Sequence, residues 1–146
     1  MSQDSIGPRI AALYELQAAY LEPKLKELGL NWASFQLLSA VYVSEGKTSQ
    51  AEISRRLGIT PATMSESVFL HVQKGLLEQV PSSHDRRVRL LKLTRKSEKL
   101  MGQVNALIAE SEVILTQEMN EKDRASFVKL LGKALDCMRT ELSQAG

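Results

Sequence analysis

Residues able to perform covalent or acid–base chemistry are few in this chain of 146 residues, and they stand apart. There is one cysteine, Cys137, and there are two histidines, His71 and His84. Nucleophilic catalysis needs a nucleophile, a base and an orienting group brought together, and nothing in these spacings suggests such a set. The sequence has no glycine-rich phosphate loop, no HExxH pair and no run of carboxylates at ligand spacing. A single cysteine makes neither an internal disulfide nor a CxxC redox or zinc pair. The expectation is a protein that is not an enzyme and carries no cofactor and no metal.

What the chain does concentrate is positive charge. The formal total is only +2, from 19 basic and 17 acidic residues, but the surplus is local. Residues 84–99, HDRRVRLLKLTRKSEK, hold seven basic side chains (Arg86, Arg87, Arg89, Lys92, Arg95, Lys96 and Lys99) against two acidic ones. Such an excess beside a turn suits a polyanion, although a charge run by itself reads as readily as a solvated face.

The elements that must position these cations are mostly helical. At 43% hydrophobic and 25% charged, the composition can build a core without disulfides or metal, and 146 residues predict one folding unit. Aromatics make up only 5%, which disfavours an all-β fold. The N-terminal run MSQDSIGPRIAALYEL contains Asp4, Pro8 and Glu15 and does not read as a secretory signal, and no stretch approaches the roughly 18 apolar residues of a membrane span. A cytoplasmic protein with no membrane partner is expected.

From Ile6 to Leu28 the apolar positions Ile10, Leu13, Tyr14, Leu16, Leu21, Leu25 and Leu28 recur at three- and four-residue steps, predicting an amphipathic helix that Pro23 should kink or interrupt and Gly29 should end. Asn31 caps a second helix, stopped at Glu45-Gly46-Lys47. Ser49 and Glu52 stand in capping-box register at the head of a short helix, about Gln50 to Leu57. Gly58 supplies a tight turn. Thr60 then caps another helix, with Pro61 at its first position and Met64, Val68 and Val72 as its buried stripe, until Gly75. Two short helices around a glycine turn are a helix-turn-helix. The runs Leu76–Val80 and Val88–Leu93, separated by the polar PSSHDRR, predict a two-stranded hairpin with a charged tip, which is a wing. Thr94 caps a long helix to about Glu118, and Asn120 and Asp123 begin a last one carrying Phe127, Leu130, Leu131, Leu135, Met138 and Leu142 on one stripe.

The predicted fold is therefore mainly α with a small β-hairpin wing. Residues 31–94 form a winged helix-turn-helix, and 1–30 with 95–146 form helical dimerisation parts of a single 1–146 domain. The outward residues of the first two turns after the glycine, Thr60, Ala62, Thr63, Ser65 and Glu66, are the ones able to reach base edges in a major groove. Arg86 and Arg87 at the hairpin tip fit a minor groove, with Asp85 orienting one guanidinium, while Arg89 and Lys92 further down suit phosphate. The terminal apolar stripes exceed what the winged helix can cover, so a homodimer would bury them.

With DRRVRLLKLT at residues 85–94, KGLLEQ at 74–79 and GLNWASFQLL at 29–38 in this order around a helix-turn-helix, the chain resembles the MarR family of bacterial and archaeal transcriptional regulators. The resemblance implies a homodimeric winged-helix regulator, repressor or activator, that binds double-stranded DNA at a pseudopalindrome. It also implies interlocking terminal helices and relief by a small aromatic or phenolic effector or by cysteine oxidation. Thr60 to Gly75 would be the recognition helix, with Asp85 and Arg87 as the wing pair. Tyr14, Tyr20, Trp32 and Phe35 would line the effector crevice, against plain core packing as the simpler reading. The family often has a basic residue where this chain has Glu66, and leucines where it has Ser67 and His71. His71 then reads as a satisfied core or edge histidine. Phe69 falls on the outward side without an assigned role. Cys137, beside Leu135 and Met138, reads as a buried inert thiol rather than a redox switch. The competing class is a winged helix that binds a protein partner and never reads DNA.

Overall fold

The computed structural model describes residues 4–146, so the first three residues of the proposed N-terminal dimerisation part lie outside it. Among the described residues six helices and one antiparallel hairpin follow in the order α1 (Ile6–Glu27), α2 (Trp32–Ser44), α3 (Gln50–Leu57), α4 (Pro61–Gln73), β1 (Leu77–Pro81), β2 (Arg89–Leu93), α5 (Arg95–Leu115) and α6 (Glu121–Ala145). The fold is mainly α with a wing. The chain divides into two compact units, Met1–Ile108 and Ala109–Gly146, whose boundary falls within α5. No helix among the described residues is long and apolar enough to cross a membrane.

Helix starts follow the polar residues that satisfy their first free N–H groups. Asn31 accepts from the Ser34 N–H, Ser49 from Glu52, Thr60 from Thr63 and Asn120 from Asp123. Helix ends follow glycine. At Gly58 (φ +65) the Gly58 N–H donates to the Arg55 carbonyl and the Ile59 N–H to that of Ser54, closing α3 with the paired bonds of a Schellman turn. Gly75 (φ +69) repeats this after α4, through its own N–H to Val72 and the Leu76 N–H to His71. These two turns set the angle between α3 and α4 and aim the hairpin.

Pro23 does not interrupt α1, which runs through to Glu27. Leu21 and Leu25 on either side of it are both buried, and that packing offsets the missing N–H. The strands pair Leu77 with Leu93, Gln79 with Leu91 and Pro81 with Arg89, and their ends fall within one residue of the sequence-based bounds. An isolated bridge ties Ser49 to Leu90, so the loop before α3 joins the sheet edge.

The core lies wholly in the first unit. Leu25, Leu37, Leu38, Val41, Ile53, Met64, Val68, Leu77, Leu91, Met101 and Val104 are almost completely covered. In α4 the buried stripe is Met64, Val68 and His71, whereas Val72 is exposed. The stripe advances by four and then three residues, so the inward position after Val68 falls on 71 and not 72.

In the second unit α6 buries no residue, and Val128, Leu130, Leu131, Leu135, Met138 and Leu142 are exposed in the single chain. Cys137 is exposed as well. The expectation of a buried thiol is therefore not met within one chain, because its own helix has no covering layer.

Candidate nucleic-acid interface

Thr60, Ala62, Thr63, Ser65 and Glu66 all stand exposed on the first two turns of α4. They are not equally free. The Thr60 hydroxyl accepts from the Thr63 N–H at 3.2 Å and donates to Thr63 Oγ1 at 3.0 Å, so its proton is already committed to capping. Thr63 keeps its own hydroxyl proton.

At the hairpin tip Arg86 and Arg87 are exposed. Asp85 Oδ1 accepts from the Arg87 backbone N–H at 3.0 Å and from Nε at 3.2 Å, and Oδ2 accepts from a terminal guanidinium nitrogen at 3.3 Å. The two-point grip limits the rotamers of a side chain that is 91% exposed. It also holds the Asp85 carboxyl below its ordinary 3.8, through the Arg87 side chain first and its backbone N–H second.

Between α3, α4 and the wing lies an open groove of about 750 Å³, and Ser65, Arg87 and Arg89 border it. Thr60, Ala62, Thr63, Glu66, Arg86 and Lys92 do not line it. Arg89 and Lys92 sit three residues apart on one strand and so project from opposite faces. Lys92 lies instead against the end of α2, in a second depression with Glu45 and Glu98, its Cγ 2.9 Å from where a Cβ on Gly46 would stand. Sequence reasoning missed Gln50 and Arg55 on the groove wall. A signal for Arg55 was present: Ala51, Ser54 and Arg55 follow the i, i+3, i+4 rule of one helix face, and Arg56 is drawn away by Glu52 at 2.7 Å.

The proposed effector residues divide. Tyr14 and Trp32 meet edge to face at 6.1 Å, with the Trp32 indole N–H donating to the Tyr14 hydroxyl at 3.2 Å, and the Phe35 ring lies 5.0 Å from Trp32, tilted by 50°. The Lys24 ammonium lies 4.9 Å over the Tyr20 ring. Tyr20, Trp32 and Phe35 pack against the core. No group of three or more metal-ligating side chains occurs among the described residues.

The MarR family model matches residues 28–88, from the end of α1 to the threshold of β2. The winged-helix segment is similar to the MarR family. Over about nine-tenths of its length or more the chain is similar to three solved MarR-type structures. A MarR transcriptional regulator from Methanosarcina mazei Go1 is 21% identical over 96% of this chain and 93% of its own, with a TM-score of 0.80. The reduced form of MarR from E. coli is 23% identical over 92% and 99%, with a TM-score of 0.74. A mutant E. coli MarR complexed with operator DNA is 23% identical over 89% and 93%, with a TM-score of 0.70. At these identities the likeness establishes the fold. Within this MarR-type fold the histidine at position 71 has polar partners: its Nδ1 lies 2.6 Å from the Ser67 carbonyl and its Nε2 3.0 Å from Ser34 Oγ, so the buried ring is satisfied at both nitrogens.

Proposed function

We propose that the protein is a DNA-binding transcriptional regulator acting as a homodimer, with α4 in the major groove and the wing in the adjacent minor groove. The observation that carries this reading is the groove itself. Ser65 of α4 and two arginines, Arg87 and Arg89, converge on one concave surface, with Arg55 on its wall. A duplex backbone passing through it would meet cations from α3 and from the wing. Ser65, Thr63 and Ala62 suit base edges, Arg86 and Arg87 a narrow minor groove, and Asp85 fixes the guanidinium direction before binding. The family match over 28–88 and the operator-bound E. coli relative of the same fold support the reading.

The uncovered apolar face of α6 supports the homodimer, since burying it against a second copy removes a contiguous apolar surface from water. Two-fold symmetry then calls for a pseudopalindrome with half-sites about 34 Å apart. Repression relieved by a small aromatic effector beside Tyr14, Trp32 and Phe35 completes the proposal, with a cytoplasmic location. The test is selection from a random duplex library by the purified protein. Enrichment of an inverted repeat carrying two chains per duplex is the expected outcome. Absence of any enriched duplex would overturn it in favour of a winged helix that binds protein.

A further inference from the structure

Three elements around the groove are joined by a chain of side-chain hydrogen bonds. Gln79, on β1, projects from the same hairpin face as the buried Leu77 and donates from Nε2 to Gln50 Oε1 at 2.6 Å. Gln50, the first residue of α3, donates from its own Nε2 to Ser65 Oγ on α4 at 3.4 Å. Gln50 and Ser65 both border the groove.

An amide has a donor end and an acceptor end, so such a chain has a direction. In the direction present, Gln79 occupies the carbonyl of Gln50, the amino group of Gln50 faces Ser65, and Ser65 accepts. Its hydroxyl proton stays available to whatever enters the groove. In the opposite direction Ser65 would donate to Gln50 Oε1 and be left with lone pairs only. We propose that Gln79 and Gln50 are positioning residues that set the hydrogen-bond polarity of Ser65, so that Ser65 reads acceptor groups on its base, such as guanine N7 and O6 or thymine O4. The inference rests on the DNA-binding reading above and adds the device that gives one position of each half-site its preference.

The test exploits the two ends of the relay. Gln79→Lys offers Gln50 a donor only and preserves the direction. Gln79→Glu offers an acceptor only, turns the Gln50 amide and consumes the Ser65 proton. Gln50→Glu removes the same donor at the other end and does not depend on either Gln79 variant folding. Each variant is assayed against the selected duplex and its single-base variants at fixed salt. The Lys variant is expected to keep the parent's base preference. Both Glu variants should shift relative preference at one position per half-site by about tenfold away from acceptor-bearing edges, the worth of one hydrogen bond. A merely electrostatic or structural role would raise or lower all duplexes together. Parent-like relative preferences in both Glu variants would overturn the relay while leaving the DNA reading intact. A parent that selects no duplex would overturn both.

Discussion

Removing the Ser97 hydroxyl should cost more stability than any other single-atom change near the wing. Ser97 is fully buried at the third position of α5, and its Oγ lies 2.7 Å from the Leu76 carbonyl while accepting from the Thr94 N–H at 2.9 Å. Thr94 reciprocates by accepting the Ser97 N–H at 3.2 Å and donates onward to the Gly75 carbonyl at 2.6 Å. The arrangement is a capping box with serine in the place of glutamate, and it clasps the end of α4, the start of β1 and the start of α5. Ser97→Ala orphans the buried Leu76 carbonyl and leaves the half-buried Thr94 N–H without its partner. At about 1–3 kcal/mol per buried unsatisfied group, less some relaxation, the loss is about 2–3 kcal/mol. At about 2–4 °C per kcal/mol for a chain near this length, the melting midpoint should fall by about 5–10 °C. Thr94→Val is the comparison: its Gly75 partner is exposed, so water replaces the lost bond and the cost stays near 1 kcal/mol. Urea unfolding with a shared m-value reads both. A Ser97→Ala loss no greater than that of Thr94→Val would refute the argument that burial of the clasp, and not capping alone, sets its worth.

The remaining expectations concern the wing. Arg87→Ala should weaken binding to the selected duplex by about 1–3 kcal/mol at matched salt, measured by fluorescence anisotropy; unchanged affinity would remove Arg87 from the interface. Arg89→Ala should reduce the slope of log affinity against log salt by about one, and by more than Lys92→Ala, since Arg89 faces the groove and Lys92 faces the end of α2. Because the folded carboxyl of Asp85 lies below its ordinary 3.8, its pairing with Arg87 is fully present above 3.8 and is lost only as pH falls through the lowered value. A carboxyl titration followed by NMR should show this midpoint return toward 3.8 in Arg87→Ala; an unmoved midpoint would contradict Arg87 as the cause.

Much of the architecture was legible because its signals are local. Asn31, Ser49, Thr60 and Asn120 cap the helices they were expected to cap, and glycine turns close α3 and α4. The hairpin fell within a residue of its predicted bounds because alternation in LLEQV and RLLKL is itself local. What failed depends on neighbours distant in sequence. Pro23 reads as a breaker until the burial of Leu21 and Leu25 is known. The inward place given to Val72 belongs to His71, whose polar ring looks unsuited to a core until Ser34 of α2 supplies its second partner. Cys137 was placed in a buried environment that its own chain does not provide. The opposite projections of Arg89 and Lys92 were available from strand parity. No periodicity in the chain signals that Gln79, Gln50 and Ser65 meet, because 29 and 15 residues separate the bonded pairs.

The most direct measurement of the central claim is the affinity of the purified chain for its selected duplex across a salt series. Counterions released by several arginine and lysine contacts should give a steep negative slope on logarithmic axes, and a scrambled duplex should bind more weakly at every salt concentration. A flat line, or equal affinity for both duplexes, would contradict a regulator that reads DNA with a helix and a cationic wing.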